Sequence, residues 1–304
     1  FEQNDIYSTI FPSLLYETHI NIFISIKNYK DAFLQDINKL VTDMDSRKPT
    51  VIYLHGYLGN VESDDVIAIT SGYLQRRDHN VIAIDYRNIS SQSYADLTDS
   101  AGLVGKVISG GINQLISYGI SKRSIHLIGH SMGAQIAGIV GRTIGFKLSR
   151  ITGLDPAGPN FNYPEAHLSM NDAAFVDTIH TDAGAYGTAR LSATVQFYVN
   201  KGYRVQPGCP IHYEFFSDED FCSHHRSWKY YAESLETENA FIGTYCNSSQ
   251  MFDCGTCNKN MKIPMGYATP TNVMGTFYLN TRSQSPFGMQ IRGAVSNNLY
   301  IELE

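Results

Sequence analysis

Four short runs divide the first half of the chain: V-I-Y-L-H at 51–55, V-I-A-I-D at 81–85, I-H-L-I-G at 125–129 and I-T-G-L-D at 151–155. Each is almost continuously apolar, as strands covered on both faces must be. Between them lie helical patterns at 64–75, 94–118 and 135–143; the second places Leu103, Val104, Val107, Ile108, Ile112, Leu115 and Ile116 at helical spacing. Strands alternating with helices imply crossover connections and a mostly parallel α/β sheet with helices on both faces. The segment 1–48, with T-H-I-N-I-F-I-S-I, reads as antiparallel strands and a helix at the sheet edge. After about residue 180 loops lengthen, and cysteines and aromatics accumulate. A last helix is predicted at 226–235, around the single tryptophan Trp228, and closing strands at 277–281 and 299–303. No Pro-, Gly- or Ser-rich linker interrupts the 304 residues, so one domain is expected over 1–304.

Composition narrows the function classes. With 43% apolar and 17% charged residues the chain can bury a core, and its net charge of −6 argues against nucleic acid and strongly anionic membranes. Neutral or zwitterionic lipid surfaces stay permitted. No run of about 18 apolar residues is present to span a bilayer. The start at Phe1 fits a mature form after signal-peptide removal, and Asn88 and Asn247 head N-x-S sequons. The five cysteines, Cys209, Cys222, Cys246, Cys254 and Cys257, show no zinc spacing. C-G-T-C at 254–257 lacks the strand-turn-helix setting of a redox motif. Two local disulfides and one odd thiol, in an oxidising compartment, are the expectation.

The segment G-H-S-M-G-A at 129–134 joins the third strand to a helix. A serine there is either the filler of a tight turn or a nucleophile. G-x-S-x-G between a buried strand and a helix is the nucleophile-elbow pattern. The turn is so sharp that strand and helix nearly touch, and Gly129 and Gly133 leave room on either side of Ser131. The helix N-terminus behind the serine adds N–H groups where an oxyanion would form. A serine at neutral pH needs a base, and the base an orienting carboxylate. Asp155 ends the next strand on the same sheet edge; Asp177 and Asp182 are rivals, with Asp177 inside a strand pattern. The base is His224 or His225 in C-S-H-H-R-S-W, and His55, His130 and His180 also lie near strand ends. H-G-Y-L-G at 55–59 follows the first parallel strand and offers the Tyr57 N–H as one oxyanion donor, with the Met132 N–H as the other.

Taken in order, L-H-G-Y-L-G, G-H-S-M-G-A, G-L-D-P-A-G-P, D-A-A-F-V-D-T-I-H-T-D, Q-P-G-C, C-S-H-H-R-S and F-Y-L-N-T resemble the pancreatic-lipase-like secreted lipases, across about residues 51–281. The resemblance implies an α/β-hydrolase fold and a triad of Ser131, Asp155 and His224, since only His224 has Cys two before and Arg two after. It implies oxyanion donors at Tyr57 and Met132, and no cofactor or metal. It further implies a lid disulfide Cys209–Cys222 and a second bridge Cys246–Cys257. Which of Cys254 and Cys257 is spare stays open.

Departures from the family sharpen the expectation. The family's C-terminal β-sandwich is absent from this sequence, so no colipase partner is expected. The lid holds 12 residues between Cys209 and Cys222, and 12 more separate Asp182 from Val195. Within the family, short loops accompany phospholipase A1 activity, although insect-type neutral lipases can be trimmed similarly. The lid carries Tyr213, Phe215, Phe216 and Phe221 as an apolar edge and Glu214, Asp218, Glu219 and Asp220 as a charged one. It either lies on a lipid surface or packs its aromatics inward. The function expected is a secreted lipid ester hydrolase of the phospholipase A1 type that works at a lipid–water interface. A neutral lipase is the first alternative. A non-catalytic lipid-storage protein of the lipase-like kind is the second, and such proteins lack the active serine retained here.

Overall fold

A computed structural model of the chain describes residues 18–25, 28–161, 167–189 and 193–296. In chain order it forms β1 (His19–Ser25), β2 (Asn28–Phe33), β3 (Thr50–Leu54), α1 (Asp64–Arg76), β4 (Asn80–Asp85) and the short α2 (Arg87–Ser90). Then come α3 (Tyr94–Ser117), β5 (Ile125–His130), α4 (Met132–Thr143), β6 (Leu148–Leu154), β7 (Ala173–His180) and β8 (Val195–Val199). The last described elements are α5 (Asp218–Glu236), β9 (Ile242–Tyr245), α6 (Ser249–Asp253), β10 (Lys262–Pro264) and β11 (Gly275–Leu279). The eleven strands among the described residues join one sheet, ordered β10-β9-β11-β8-β7-β6-β5-β3-β4-β1-β2. From β4 to β11 the pairings are parallel. The outer strands pair antiparallel at both ends. This is the α/β-hydrolase architecture.

The apolar runs divide by pleat. Ile52, Leu54, Ile82 and Ile84 pack with Val104, Ile108, Ile136 and Val140 of α3 and α4. Their alternate neighbours Val51, Tyr53, Val81 and Ala83 pack with Val66, Ile69 and Tyr73 of α1 and with Tyr231 and Leu235 of α5. A period of two therefore feeds two cores, which is why the strands show no polar face. Helix α3 starts at the Ser93 cap, whose Oγ accepts from the Asp96 N–H at 3.2 Å and donates to the Asp96 carboxylate at 2.6 Å.

The chain runs β3, β4, then back across β3 to β5. That reversal opens a crevice beyond the C-terminal ends of β3 and β5, the usual ligand position in an open α/β sheet. The loop at 55–59 and Ser131 both emerge there.

Two sequence expectations need correction. The helix predicted from 226 begins at Asp218, eight residues earlier, and it is followed by the short α6 instead of being the last helix. Ser217 caps it by accepting from the Asp220 N–H at 3.2 Å, and Asp218, Glu219 and Asp220 suit the positive end of the helix dipole. The acidic run read as a lid edge is thus a helix start, and His224 lies within the helix instead of ahead of it. The helix expected within 1–48 is realised as 3₁₀ turns at Leu34–Lys39 and Val41–Asp43. The predicted strand at 299–303 lies outside the described residues. Among the described residues no helix is long and apolar enough to cross a membrane.

Candidate active site

Ser131 sits between β5 and α4 with φ 53° and ψ −118°, a conformation that costs a non-glycine residue energy. Neighbours on both sides hold it there. Its N–H donates to Leu154 O at 3.0 Å, and its carbonyl accepts from Ala157 N at 3.1 Å. The two flanking glycines are sterically required. A Cβ on Gly129 would collide with the backbone of Gly133, and one on Gly133 with the Leu54 carbonyl of β3.

Asp155 leaves β6 on the same edge, because His130 is in register with Leu154. Its carboxylate is fully buried and fully engaged. Oδ1 accepts from the N–H groups of Thr181 and Asp182 at 2.8 and 3.0 Å, and Oδ2 pairs with His224 Nδ1 at 2.6 Å. A carboxylate that only accepts fixes the imidazole proton on Nδ1, which leaves Nε2 with its lone pair.

The structure separates the adjacent histidines. Consecutive helical residues diverge by about 100°, so one of the two can face Asp155. His224 does. His225 stacks on Phe221 with ring centroids 5.6 Å apart, and burial together with the nearby His224 pushes its pKa down to about 3. Of the other candidates, Asp177 is ion-paired with Arg150 at 2.8 Å inside β7. His180 stacks on Tyr198, and His55 stacks on Tyr86 while accepting from its N–H at 3.3 Å. His130 stays at the site, its ring 4.7 Å from that of His224.

The Tyr86 anchor holds the loop at 55–57 against the serine. A Cβ on Gly56 would lie 3.2 Å from the Ser131 Cβ. Neither the Tyr57 nor the Met132 N–H donates to a backbone carbonyl among the described residues, and Met132 opens α4. Both amides are thus without a backbone acceptor among the described residues.

A cavity of about 810 Å³ contains Ser131 and His224, with walls that include Tyr57, Tyr94, Tyr186, Phe216 and Phe221. The lid, closed by the Cys209–Cys222 disulfide, divides its aromatics. Phe215 and Phe216 are 79% and 68% exposed, whereas Tyr213 and Phe221 are half-buried. Asp220 does not belong to a charged edge: it is buried, accepts from Tyr186 Oη at 2.5 Å and pairs with Arg204 at 3.0 Å. The second disulfide is Cys246–Cys257, and Cys254 is an exposed free thiol. Asn88 and Asn247 are both exposed.

The Arg204 network was not legible in the sequence. Arg204 grips Asp182 through Nε and Nη2, each at 2.6 Å, and reaches Tyr213 Oη and Asp220 at 3.0 Å. Asp182 in turn gives its N–H to Asp155. One guanidinium therefore ties the lid and α5 to the carboxylate behind His224. Asp155, Asp182 and His224 are the one three-ligand cluster found among the described residues, and their atoms are already committed to one another and to Arg204.

The family described as Lipase matches residues 16–287. The chain belongs to this lipase family. Among curated relatives, it is 34% identical over 268 residues to rabbit (Oryctolagus cuniculus) pancreatic triacylglycerol lipase, covering 79% of this chain and 57% of that protein. It is 35% identical to mink (Neovison vison) lipoprotein lipase, covering 78% and 55%. It is 35% identical to lipase member H-A of Xenopus laevis, covering 69% and 46%. This lipase-family chain thus spans about half the length of the curated relatives it matches. A solved hydrolase of the α/β superfamily from Xanthomonas campestris overlaps it loosely, with TM-score 0.35, 13% identity, and 52% and 76% of the two chains covered. The architecture rests on the strand order itself.

Proposed function

We propose that this chain hydrolyses carboxylic esters of lipids through a serine nucleophile, with phospholipase A1-type cleavage of the sn-1 ester as the favoured activity. The observation that carries the hydrolase reading is the His224–Asp155 pair at 2.6 Å beside a strained, glycine-flanked Ser131 in one cavity. Ser131 Oγ attacks the ester carbonyl as His224 Nε2 takes its proton. The N–H groups of Tyr57 and Met132 hold the oxyanion. His224 returns the proton to the leaving alcohol, and Asp155 fixes and stabilises the imidazolium. Water then repeats the sequence on the acyl-enzyme, with no cofactor in any step.

The phospholipase preference is supported by length, with 12 residues between Cys209 and Cys222 and 12 between Asp182 and Val195. A neutral lipase reading is favoured by the relatives named for triacylglycerol cleavage. Exposed Ile211, Phe215 and Phe216 supply an apolar edge for contact with a zwitterionic or neutral lipid surface. Two disulfides support a secreted, extracellular setting.

The test is acyl release from phosphatidylcholine labelled separately at its two chains, beside a triolein emulsion and with Ser131→Ala as the blank. Release of the sn-1 chain at a rate rivalling triolein supports the phospholipase reading. Triolein cleavage with intact phospholipid makes the chain a neutral lipase, and activity that survives in Ser131→Ala refutes the nucleophile.

A further inference from the structure

The cavity around Ser131 has two chemically different sides. Tyr57 packs edge-on against Tyr94 at 5.4 Å, and Tyr94 Oη donates to the Pro159 carbonyl at 3.0 Å, so two tyrosines and a proline make one uncharged stretch of the wall. One face of α5 lines the cavity too. Asp218, Phe221, His225 and Lys229 follow at helical spacing, and all four line the cavity. Asp64, from the start of α1, lines it as well.

Lys229 is the one lysine or arginine among the residues lining this cavity. Its stem is half-buried, and its Nζ lies 5.2 Å from the Trp228 ring. It forms no hydrogen bond or ion pair among the described residues, and Asp64 and Asp218 act on it only as nearby charges. Burial and the neighbouring Arg226 pull its pKa below the ordinary lysine range. A half-buried ammonium that meets an aromatic face and has no hydrogen-bonded anion among the described residues leaves its donors open to an entering anion. Asp64 and Asp218 are exposed carboxylates with no ion pair of their own among the described residues.

We propose that this end of the cavity is a head-group subsite in which Lys229 takes the phosphate of a zwitterionic glycerophospholipid and Asp64 with Asp218 takes its ammonium. The proposal rests on the phospholipase reading above and names the head group that reading leaves open. A triacylglycerol offers neither charge. An anionic head without an ammonium satisfies Lys229 but meets the two carboxylates, so zwitterionic heads rank first, anionic heads second and uncharged glycerides last.

Trp228 reports binding directly, because it is the single tryptophan of the chain and adjoins Lys229. The experiment is a fluorescence titration with short-chain diether phosphatidylcholine, the matching diether phosphatidylmethanol and the matching diether glycerol, each below its micelle threshold. The diether phosphatidylcholine is expected to bind at least tenfold tighter than the diether glycerol. Lys229→Met should remove most of that margin and Lys229→Arg should keep it. Asp64→Asn with Asp218→Asn should weaken the phosphocholine probe and not the phosphomethanol probe. Equal affinities for phosphocholine and glycerol probes, or a Lys229→Met protein that binds like wild type, would overturn the subsite. The probes contain no carboxylic ester, so this result is independent of acyl hydrolysis. Lys229-dependent binding without fatty-acid release from phosphatidylcholine sinks the phospholipase reading alone; release with no dependence on Lys229 sinks the subsite alone.

Discussion

Gly187 lies against the carboxylate of Asp155: a methyl group on Gly187 would stand 2.5 Å from Asp155 Oδ2 and 2.7 Å from Oδ1. Oδ2 is the atom that pairs with His224 Nδ1. Gly187→Ala must therefore move either the loop or the carboxylate. A displacement of the base by a fraction of an ångström to 1 Å costs up to about 10²-fold in rate. We expect kcat on a soluble p-nitrophenyl ester to fall roughly 10- to 100-fold, with an unfolding midpoint lowered only modestly. Wild-type kcat in this variant would show that Asp155 has slack.

Arg204 neutralises two carboxylates that water does not reach, Asp182 at 0% and Asp220 at 2% exposure. Removing one partner of such a group typically costs about 3–5 kcal/mol, because the remaining charges stay buried and unpaired. Arg204→Met should lose about 3 kcal/mol in urea unfolding at pH 7, and activity should drop as well, since the Asp182 N–H helps hold Asp155. A loss below 1 kcal/mol would mean that solvent enters and replaces the guanidinium.

Four histidines are pushed toward the neutral form by burial, His180 among them although Asp155 opposes the shift. Burial pushes down His126, with Arg150 adding to it; burial and then His224 push down His130; burial and His224 bring His225 to about 3. Below the ordinary histidine pKa of about 6.5 the unfolded chain takes up protons that the native one refuses. Their contribution is complete above pH 6.5 and is lost as pH falls toward the folded values. The unfolding free energy from urea titrations should decline from pH 6.5 to 4.5 by about 1 kcal/mol per histidine, allowing for partial solvent screening. His225→Gln should flatten that slope, and stability that rises on acidification would contradict the assignment.

The lid disulfide joins residues 13 apart in sequence. For a loop of this size the chain-entropy argument gives about 3 kcal/mol. Cys209→Ser with Cys222→Ser should lower stability by about that amount, and limited proteolysis should cut first between 209 and 217. Ellman titration of the unfolded, non-reduced wild type should find the Cys254 thiol alone.

Ile211 and Phe215 point outward at 75% and 79% exposure and do not line the cavity. Half-burying each side chain in a lipid surface is worth about 1 kcal/mol. Ile211→Ser with Phe215→Ser should weaken binding to phosphatidylcholine vesicles about 10- to 30-fold in a flotation assay, with soluble-ester turnover within twofold of wild type. Unchanged vesicle binding would place the lipid-facing edge elsewhere.

The sequence by itself determined the parallel sheet and the position of Ser131, because both depend on local information. Apolar runs of strand length must be covered on both faces, and glycines two residues either side of Ser131 are demanded by a turn that local sterics define. It also marked Asp155, since ending the next parallel strand places a residue on the same edge. Tertiary structure alone decided which rival groups meet. His224 and His225 are chemically identical neighbours, and only the rotation of α5 about its axis turns the first to Asp155 and the second to Phe221. Arg204, Asp182 and Asp220 come from separate loops and a helix start, so no spacing along the chain foretells their network. The same holds for Gly187, whose missing side chain matters only because the fold places it against a carboxylate 32 positions away. Local sterics act between neighbours in sequence, whereas ion pairs and close packing act between neighbours in space.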